Sequence, residues 1–188
     1  MKKIFRAITS VFTLIIIRPI ANLCFEPKYL KGKYFQHWYS RGWLWTFKAI
    51  FAQKIGGKNR KACWPIASTC TVISPENIIF DPDDLNNFQS YGNYFQAMGT
   101  IEIGSGTWIA PNVGLITANH DVYDLTKHVE PKPIRLGKRC WIGMNSVVLP
   151  GVELGDDTIV GAGSVVTKSF SQGKCVIAGN PAKVIKYL

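Results

Sequence analysis

A histidine at the end of a regular apolar pattern is the residue of this chain best suited to chemistry. His120 closes the stretch IAPNVGLITANH, and a polar run with two prolines follows it up to Pro133. An imidazole takes up and returns protons near neutral pH, so a histidine between a rigid scaffold and a loop is a candidate general base. His37 and His128 lack this context, and we expect them to be surface or structural residues.

The scaffold around His120 repeats with a period of six residues. An aliphatic residue recurs at every sixth position, and a small side chain follows it four residues later. The aliphatic positions are Ile103, Ile109 and Leu115, then Leu136, Ile142, Val148, Leu154, Val160 and Val166, and the small positions of the second series are Cys140, Ser146, Val152, Thr158 and Ser164. Neither an α-helix nor a simple strand has this period, whereas a coil of three short strands does. We therefore predict a mainly β fold, a parallel β-helix over residues 66–188.

The repeat is interrupted once, directly after the candidate base. Residues 119–133 do not fit the six-residue register, so we expect them to leave the coil as a protruding loop. Long excursions from a regular scaffold are commonly functional, because the scaffold positions a residue while the loop covers the substrate. This placement strengthens the assignment of His120 as a catalytic residue.

The first third of the chain has a different composition. The formal net charge of the 188 residues is +10, and residues 1–65 contain thirteen Lys and Arg against one acid, Glu26. The remaining residues contain nine basic and eleven acidic side chains. A basic segment rich in Trp, Tyr and Phe favours contact with anionic lipid headgroups. A nucleic acid would suit the same charge, but no nucleic-acid motif is present, and a solvated basic face stays the alternative.

The N-terminal apolar run is too short to cross a bilayer. Residues 7–17 form eleven apolar or weakly polar positions, against about 20 for a spanning helix. We expect an interfacial helix anchored by Lys2, Lys3 and Arg6, with a helix that docks on the rest of the protein as the alternative. Residues 1–65 are thus predicted to form a helical, aromatic extension with a possible membrane surface.

The five cysteines show no pairing that predicts disulfides or a metal site. Cys24, Cys63, Cys70, Cys140 and Cys175 lack a CxxC pair and lack metal-ligand spacing with histidine. Scattered thiols of this kind are typical of a reducing, cytoplasmic compartment, and we expect no metal. A covalent route through Cys140 is not expected, because its small, inward position in the repeat makes a thiol inert.

The repeat region resembles the hexapeptide-repeat acyltransferases. The resemblance is carried by PIRLGKRCWIGMNSVVLPGVELGDDTIVGAGSVVTKSF, residues 133–170, and by VIAGNPAKVIKYL, the predicted C-terminal tail at 176–188. It is strongest to the branch with galactoside, maltose and colanic-acid-type O-acetyltransferases, and it covers roughly residues 85–188. The resemblance implies a left-handed β-helix, a homotrimer with active sites between subunits, and acetyl-CoA as donor.

The resemblance also implies roles for individual residues. The interval from Ile109 to His120 matches that of the family's catalytic base, and the backbone N–H of Met144 matches a donor to the developing oxyanion. Asn93 falls near the family's acceptor-binding asparagine, although the spacing to Ile103 is shorter. The expected acceptor-binding residues are Asn93, Gln96, Asp121 and Glu130, of which the last two are alternatively loop residues that orient His120 or face solvent. The expected cofactor-binding residues are Trp141, Gly161, Ala162, Gly163, Thr167, Lys168, Lys183 and Lys186.

The function that follows is an acetyl-CoA-dependent O-acetyltransferase acting on a hydroxyl of a surface polysaccharide or its lipid-linked precursor. We expect it in the cytoplasm, peripheral to the inner face of the cell membrane. An N-acetyltransferase acting on an amino sugar or antibiotic is the rival enzyme, and a membrane-associated trimeric scaffold is the rival without chemistry. A β-helix carbonic anhydrase needs three histidines around zinc, which the repeats do not contain. A nucleotide-sugar pyrophosphorylase needs a further large domain.

Overall fold

Two compact units divide the chain, with the boundary between Ser68 and Thr69. A computed structural model describes residues 10–188, so the predicted anchors Lys2, Lys3 and Arg6 lie outside the described residues. The N-terminal unit is helical, and the C-terminal unit is built mainly of short strands.

Helices and aromatic side chains build the N-terminal unit. Its elements are a π-helical segment Thr13–Ile17 that continues into α1, Arg18–Cys24, a 3-10 turn Pro27–Tyr29, and α2, Arg41–Ala49, which continues into a π-helical segment Ile50–Ile55. Gln53 links the second helical segment to residues 64–66 by hydrogen bonds. Its buried side chain accepts from Ile66 N at 2.8 Å and donates to Trp64 O at 3.2 Å. Within residues 10–188, no helix has both the length and the apolar content needed to span a bilayer.

Fourteen short strands form three sheets in the C-terminal unit. They are β1 Thr71–Val72, β2 Ile78–Phe80, β3 Tyr94–Phe95, β4 Ile101–Ile103, β5 Trp108–Ile109, β6 Gly114–Leu115, β7 Ile134–Leu136, β8 Trp141–Ile142, β9 Val147–Val148, β10 Glu153–Leu154, β11 Ile159–Val160, β12 Val165–Val166, β13 Cys175–Gly179 and β14 Ala182–Tyr187. Sheet 1 has the order β1-β3-β6-β9-β12, sheet 2 has β10-β7-β4-β2, and sheet 3 has β14-β13-β11-β8-β5.

From β3 to β12 the chain visits sheets 1, 2 and 3 in rotation, and all strand pairs except β13–β14 are parallel. The fold is therefore the predicted left-handed parallel β-helix, a triangular coil that departs from the usual right-handed crossover. Each aliphatic residue of the six-residue register is at most 4% exposed, and each small residue of the second series at most 1% exposed. Stacked coils thus share one apolar column, which is the reason for the period of six.

The turns between sheets form corners that stack along the coil. We call the turns from sheet 1 to sheet 2 the loop corner, because residues 116–133 leave the coil there between β6 and β7. We call the turns from sheet 3 to sheet 1 the glycine corner, because it contains residues 161–163 between β11 and β12. Close stacking requires glycine at two of these turns: a Cβ on Gly143 would lie 2.6 Å from Ala162 N, and a Cβ on Gly161 would lie 2.9 Å from the Cβ of Ala178.

A 3-10 helix takes the place of a sheet 3 strand in the first coil. This helix, Pro82–Phe88, follows β2 and an earlier 3-10 turn, Pro75–Asn77. Asn87 mimics the edge of a strand beside β5, since its side chain donates to Thr107 O and accepts from Ile109 N, both at 2.9 Å. The asparagine thereby satisfies backbone groups that would otherwise be left at the sheet edge.

The last thirteen residues do not form a simple tail. β13 continues sheet 3 in parallel with β11, and β14 returns antiparallel to β13. The six-residue count ends at Val166, so the sequence register alone does not predict this hairpin. The backbone of β11, in the last coil, is the edge of sheet 3 with which β13 pairs.

Candidate active site

His120 lies on the loop and its ring is accessible. The side chain is exposed, and Nδ1 lies 2.7 Å from the carbonyl oxygen of Leu125. Because a carbonyl oxygen only accepts, Nδ1 carries the proton and Nε2 keeps its lone pair. A neutral imidazole held in this way has its free nitrogen available to a substrate hydroxyl.

The loop that carries His120 is a ladder of backbone hydrogen bonds. Its base closes where Lys132 N donates to Thr117 O at 2.8 Å, and the next rung joins Val129 N to Asn119 O at 2.9 Å. Asp121 N donates to Lys127 O at 2.9 Å beyond them. The two sides of the loop are therefore held together by backbone hydrogen bonds, which restrict the positions that the His120 ring can take.

The ring of His128 contacts the ring of His120 across this loop. The two residues form an isolated antiparallel bridge, and their ring centroids lie 4.2 Å apart with planes inclined by 35°. From the sequence, His128 is expected to be a surface or structural residue without a link to His120. The approach depends on the reversal of the loop between them, which spacing alone does not predict.

Gln96 holds the first residues of the His120 loop by hydrogen bonds. Its side-chain Oε1 accepts from Thr117 N at 2.9 Å and from Ala118 N at 2.7 Å. Its backbone N–H donates to Leu115 O. These contacts fix the chain two residues before His120. The structure thus gives Gln96 a positioning contact to the His120 segment, and its contact to an acceptor stays a prediction.

Asn93 is buried within the coil. Its side chain is 1% exposed, Oδ1 accepts from Val113 N at 3.0 Å and Nδ2 donates to Asn87 O at 3.3 Å. Both ends of the amide are therefore engaged with backbone groups. Asn93 thus holds adjacent coils together, and its role in acceptor binding stays a prediction.

Asp121 and Glu130 occupy different environments on the loop. The Asp121 carboxylate accepts from Tyr123 N at 2.8 Å and from Asp124 N at 3.1 Å, so it stabilises the tip of the loop. The contact that orients the His120 ring comes from the Leu125 carbonyl and not from this carboxylate. Glu130 lies instead at the mouth of a cavity.

This cavity is at the loop corner and has a volume of about 330 Å³. The residues that line it are Met98, Gly99, Thr100, Glu102, Glu130, Pro131, Pro133 and Arg135. Arg135 Nε lies 3.3 Å from a carboxylate oxygen of Glu102 on the neighbouring strand. The cavity thus combines carboxylates, a guanidinium and a hydroxyl, and its volume is within the range of small-molecule sites.

Several predicted cofactor residues meet at the glycine corner. Gly163 N donates to Met144 O at 2.8 Å, and Gly161 O accepts from the Ser164 hydroxyl at 2.6 Å. Ala162 is exposed beside them, and Gly163 has a φ of +70° with no atom within 4 Å of the position of a Cβ. The corner therefore presents backbone with little side-chain cover, which suits close approach of an amide-bearing ligand.

The C-terminal hairpin reaches the same corner. Gly179 N donates to the Ser164 hydroxyl at 3.2 Å, and the Cβ of Ala178 would lie 2.9 Å from a Cβ on Gly161. Lys183 is opposite Ala178 in the register of the hairpin. Lys183 is thus one strand farther along sheet 3 than Ala178, at the end of β14 nearest the glycine corner.

Trp141 and Lys186 lie on the outer face of sheet 3. Trp141 is 55% exposed, and it is in register with Trp108 on one side and Ile159 on the other. The row continues through Val176 to Lys186. The outer face of sheet 3 therefore carries a row of side chains, with two exposed tryptophans, that runs across the strands of successive coils.

Thr167 and Lys168 are separated from the other predicted cofactor residues. Both follow β12 and lie at the loop corner, two coils beyond the excursion. The Lys168 ammonium group lies 5.8 Å from the centre of the Phe170 ring. Within one chain, the structure places His120, Thr167 and Lys168 at one corner of the triangle and the Met144 and Gly161–Gly163 cluster at another.

Cys140 has the features of a structural thiol. It is 1% exposed, its sulfur lies 3.3 Å from Gly155 O, and burial raises its pKa above the ordinary value for cysteine. Across residues 10–188, His, Cys, Asp and Glu form no group of three that is arranged to hold a metal ion.

Comparisons with known proteins find relatives of the repeat region. The pattern of the bacterial transferase hexapeptide family (six repeats) matches residues 133–168. The galactoside O-acetyltransferase of Escherichia coli (strain K12) is 43% identical over 90 residues, which are 46% of this chain and 44% of that protein. The "Putative colanic acid biosynthesis acetyltransferase WcaF" of the same organism is 39% identical over 89 residues, 47% and 48% of the two chains.

Among solved structures, a galactoside acetyltransferase in complex with coenzyme A aligns with a TM-score of 0.50 and 33% identity. The alignment covers 63% of this chain and 62% of that chain. The chain spans about half the length of the curated relatives it matches. Residues 133–168 therefore carry the hexapeptide repeat in a coil of three parallel sheets, and the matched relatives are named acetyltransferases.

Proposed function

We propose that the protein is an acetyl-CoA-dependent O-acetyltransferase with His120 as general base. The observation that carries the proposal is the exposed His120 ring, whose Nδ1 is bound to the Leu125 carbonyl at 2.7 Å and whose Nε2 is therefore free to accept a proton. The names of the matched relatives support the reaction class, since they are acetyltransferases, and the solved galactoside acetyltransferase holds coenzyme A.

The proposed reaction is direct transfer within a ternary complex. His120 Nε2 takes the proton of the acceptor hydroxyl as its oxygen attacks the thioester carbonyl carbon. The C–S bond breaks, the thiolate leaves, and the imidazolium returns its proton to that sulfur. The developing oxyanion accepts a hydrogen bond from the Met144 backbone N–H. No covalent enzyme intermediate is needed, which agrees with the buried Cys140 thiol.

The position of the predicted residues supports a site shared between copies of the chain. His120 lies at the loop corner, while Met144 and Gly161–Gly163 lie at the glycine corner. A triangular coil cannot bring two of its own corners together, whereas a threefold assembly sets the loop corner of one subunit against the glycine corner of the next. We therefore propose a homotrimer with three active sites between subunits.

In this assembly, acetyl-CoA lies along the groove between subunits. Trp141, Gly161–Gly163 and Lys183 of one subunit, with Lys186 farther along β14, would line one wall of the groove. Thr167 and Lys168 of the neighbour would line the other. The ammonium groups complement the phosphates of the nucleotide, and the exposed backbone at the glycine corner suits the pantetheine amides.

The acceptor we propose is a saccharide of a surface polysaccharide or of its lipid-linked precursor. The cavity beside the His120 loop supports this, because the carboxylates of Glu102 and Glu130 and the hydroxyl of Thr100 are suitable partners for sugar hydroxyls. The names of the galactoside and colanic acid relatives point to the same class. We place the protein in the cytoplasm, where acetyl-CoA is made, in peripheral contact with the membrane through its N-terminal unit.

The test is transfer from acetyl-CoA by the purified full chain and by two histidine variants. His120→Ala should lower kcat by about 10² to 10⁴-fold, the usual contribution of a general base, without changing the oligomeric mass. His37→Ala is the matched control and should keep kcat. If the His120→Ala protein transfers acetyl as the unmodified protein does, or if the unmodified protein neither transfers nor hydrolyses acetyl-CoA, the proposal is wrong.

The acceptor class is tested in the same assay. A galactoside, maltose and an amino sugar are offered as separate acceptors, and mass spectrometry locates the acetyl group. Transfer to oxygen supports the proposal, whereas transfer to the amine alone assigns the protein to the N-acetyltransferases.

A further inference from the structure

We propose that the helices of the N-terminal unit carry a surface that docks on an anionic lipid membrane. The first helical segment, residues 10–24, buries one stripe whose members are four residues apart: Thr13, Ile17 and Ala21. The outward side of the same segment is also apolar. Its exposed apolar residues are Val11, Phe12, Leu14, Ile15, Ile16, Ile20 and Leu23. A helix on a water-facing surface normally places polar residues there, so this side is suited to an apolar environment.

The second helical segment adds a matching outward stripe. Leu44, Phe51 and Ile55 are 53%, 52% and 72% exposed, and their spacing places them on one side of the helix. The two segments are joined by an aromatic contact. The Phe12 ring lies edge-on to Phe47 with centroids 5.8 Å apart, and Phe47 lies 5.1 Å from Phe51. The exposed apolar residues of the two segments thus adjoin at these rings, and together we call them the apolar face.

The charge around the apolar face selects the kind of partner. Residues 10–55 contain seven Lys and Arg and one acid, Glu26, which pairs with Lys28 at 2.8 Å. Arg18 and Lys48 are exposed on the helices that carry the apolar face, each within one turn of an exposed apolar residue. Apolar side chains flanked by uncompensated positive charge complement a bilayer surface with anionic headgroups.

The same charges argue against the two other occupants. A symmetric contact between two copies of this face would bring Arg18 and Lys48 of both copies together, and residues 10–24 and 41–55 contain no acid to offset this repulsion. A nucleic acid would suit the charge, but aliphatic residues such as Ile15, Leu23 and Ile55 neither stack on bases nor hydrogen-bond to them. They do partition into the boundary between headgroups and acyl chains. Because no described helix can span the bilayer, the helices would lie along its surface.

The test is co-sedimentation of the full chain with vesicles, without acetyl-CoA, so that its result is independent of the proposed transferase activity. Vesicles of phosphatidylcholine with about 30% phosphatidylglycerol should bind the chain, and vesicles of phosphatidylcholine alone should bind it at least about tenfold more weakly. Binding to the anionic vesicles should fall as salt is raised.

Two sets of variants identify the surface. Phe51→Ser with Ile55→Ser should weaken vesicle binding at least about tenfold, and Ile15→Ser with Leu23→Ser should do the same. Ile79→Ser is the matched control, since Ile79 is 59% exposed on β2 in the other unit, and it should bind as the unmodified chain does. Lys48→Gln should weaken binding to the anionic vesicles about fivefold, while Lys48→Arg should not.

Three results overturn the proposal. The first is absence of binding to either vesicle, and the second is equal binding of the unmodified chain and both double variants. In the third, the double variants alter the mass measured by light scattering, or binding to a single-stranded polynucleotide, and leave vesicle binding unchanged. That result assigns the face to a second copy of the chain or to a nucleic acid.

Discussion

The rings of His120 and His128 are paired on the loop, with centroids 4.2 Å apart, and the two backbones form an antiparallel bridge. Leu125, between them in sequence, supplies the carbonyl that binds His120 Nδ1 at 2.7 Å. The candidate base is thus held by one hydrogen bond and one ring contact, both of which come from its own loop. Removing either contact should affect the reaction through the position of His120.

His128→Ala should lower kcat by about three- to tenfold, because an aromatic pair contributes about 0.5–1.5 kcal/mol to holding the ring. His128→Phe keeps a ring at the same place and should recover most of the loss. Steady-state kinetics with saturating acetyl-CoA measures both variants. A rise in the KM for the acceptor with unchanged kcat would show instead that His128 contacts the acceptor.

Gln96→Ala should lower both stability and kcat. The Thr117 and Ala118 N–H groups belong to buried residues and would lose their acceptor, at a cost of about 1–3 kcal/mol for each group. Gln96→Glu keeps the accepting oxygen and should restore kcat. Denaturant unfolding and kcat are measured together on each variant. If both variants only raise the KM for the acceptor, Gln96 binds the acceptor, as the resemblance implies.

Asn93→Ala separates a structural role from acceptor binding. The substitution removes the acceptor of Val113 N and the donor to Asn87 O, so the free energy of unfolding should fall by about 1–3 kcal/mol. The folded fraction should retain its kcat and its KM for the acceptor. An unchanged unfolding midpoint together with a raised KM for the acceptor would show instead that Asn93 binds the acceptor.

Arg139 and Asp157 join successive coils at the third corner, between sheets 2 and 3. Arg139 Nε and an η nitrogen each lie 2.7 Å from a carboxylate oxygen of Asp157, and these hydrogen bonds lower the pKa of Asp157 below its ordinary value. A lowered carboxyl pKa stabilises the fold above the unfolded-state value of about 3.9, and this contribution is lost as pH falls through the folded-state value.

Asp157→Asn should therefore lower the unfolding midpoint at pH 6 and have a progressively smaller effect below about pH 4. Asparagine tolerates the φ of +57° at this position, so backbone strain does not confuse the comparison. Thermal unfolding is followed from pH 3 to pH 7 for the variant and for the unmodified chain. A difference that does not change with pH would contradict the assignment of the lowered pKa to this pair.

The sequence by itself determined the coil, the place where the coil is interrupted, and the candidate base. A period of six is a local rule: each aliphatic residue must face the interior and each small residue must fit where the walls converge, so Leu136 or Ser146 can be assigned from position alone. The same count locates the excursion that carries His120.

Tertiary structure alone decided the contacts that cross the coil or fold back within the loop. The Leu125 carbonyl, the His128 ring, and the engagement of Gln96 and Asn93 with backbone groups depend on how segments far apart in register approach one another. The separation of His120 from Gly161–Gly163 likewise depends on which corner each turn occupies. Periodicity records which side of a strand faces inward, but it contains no information on which polar groups meet after the chain has turned a corner.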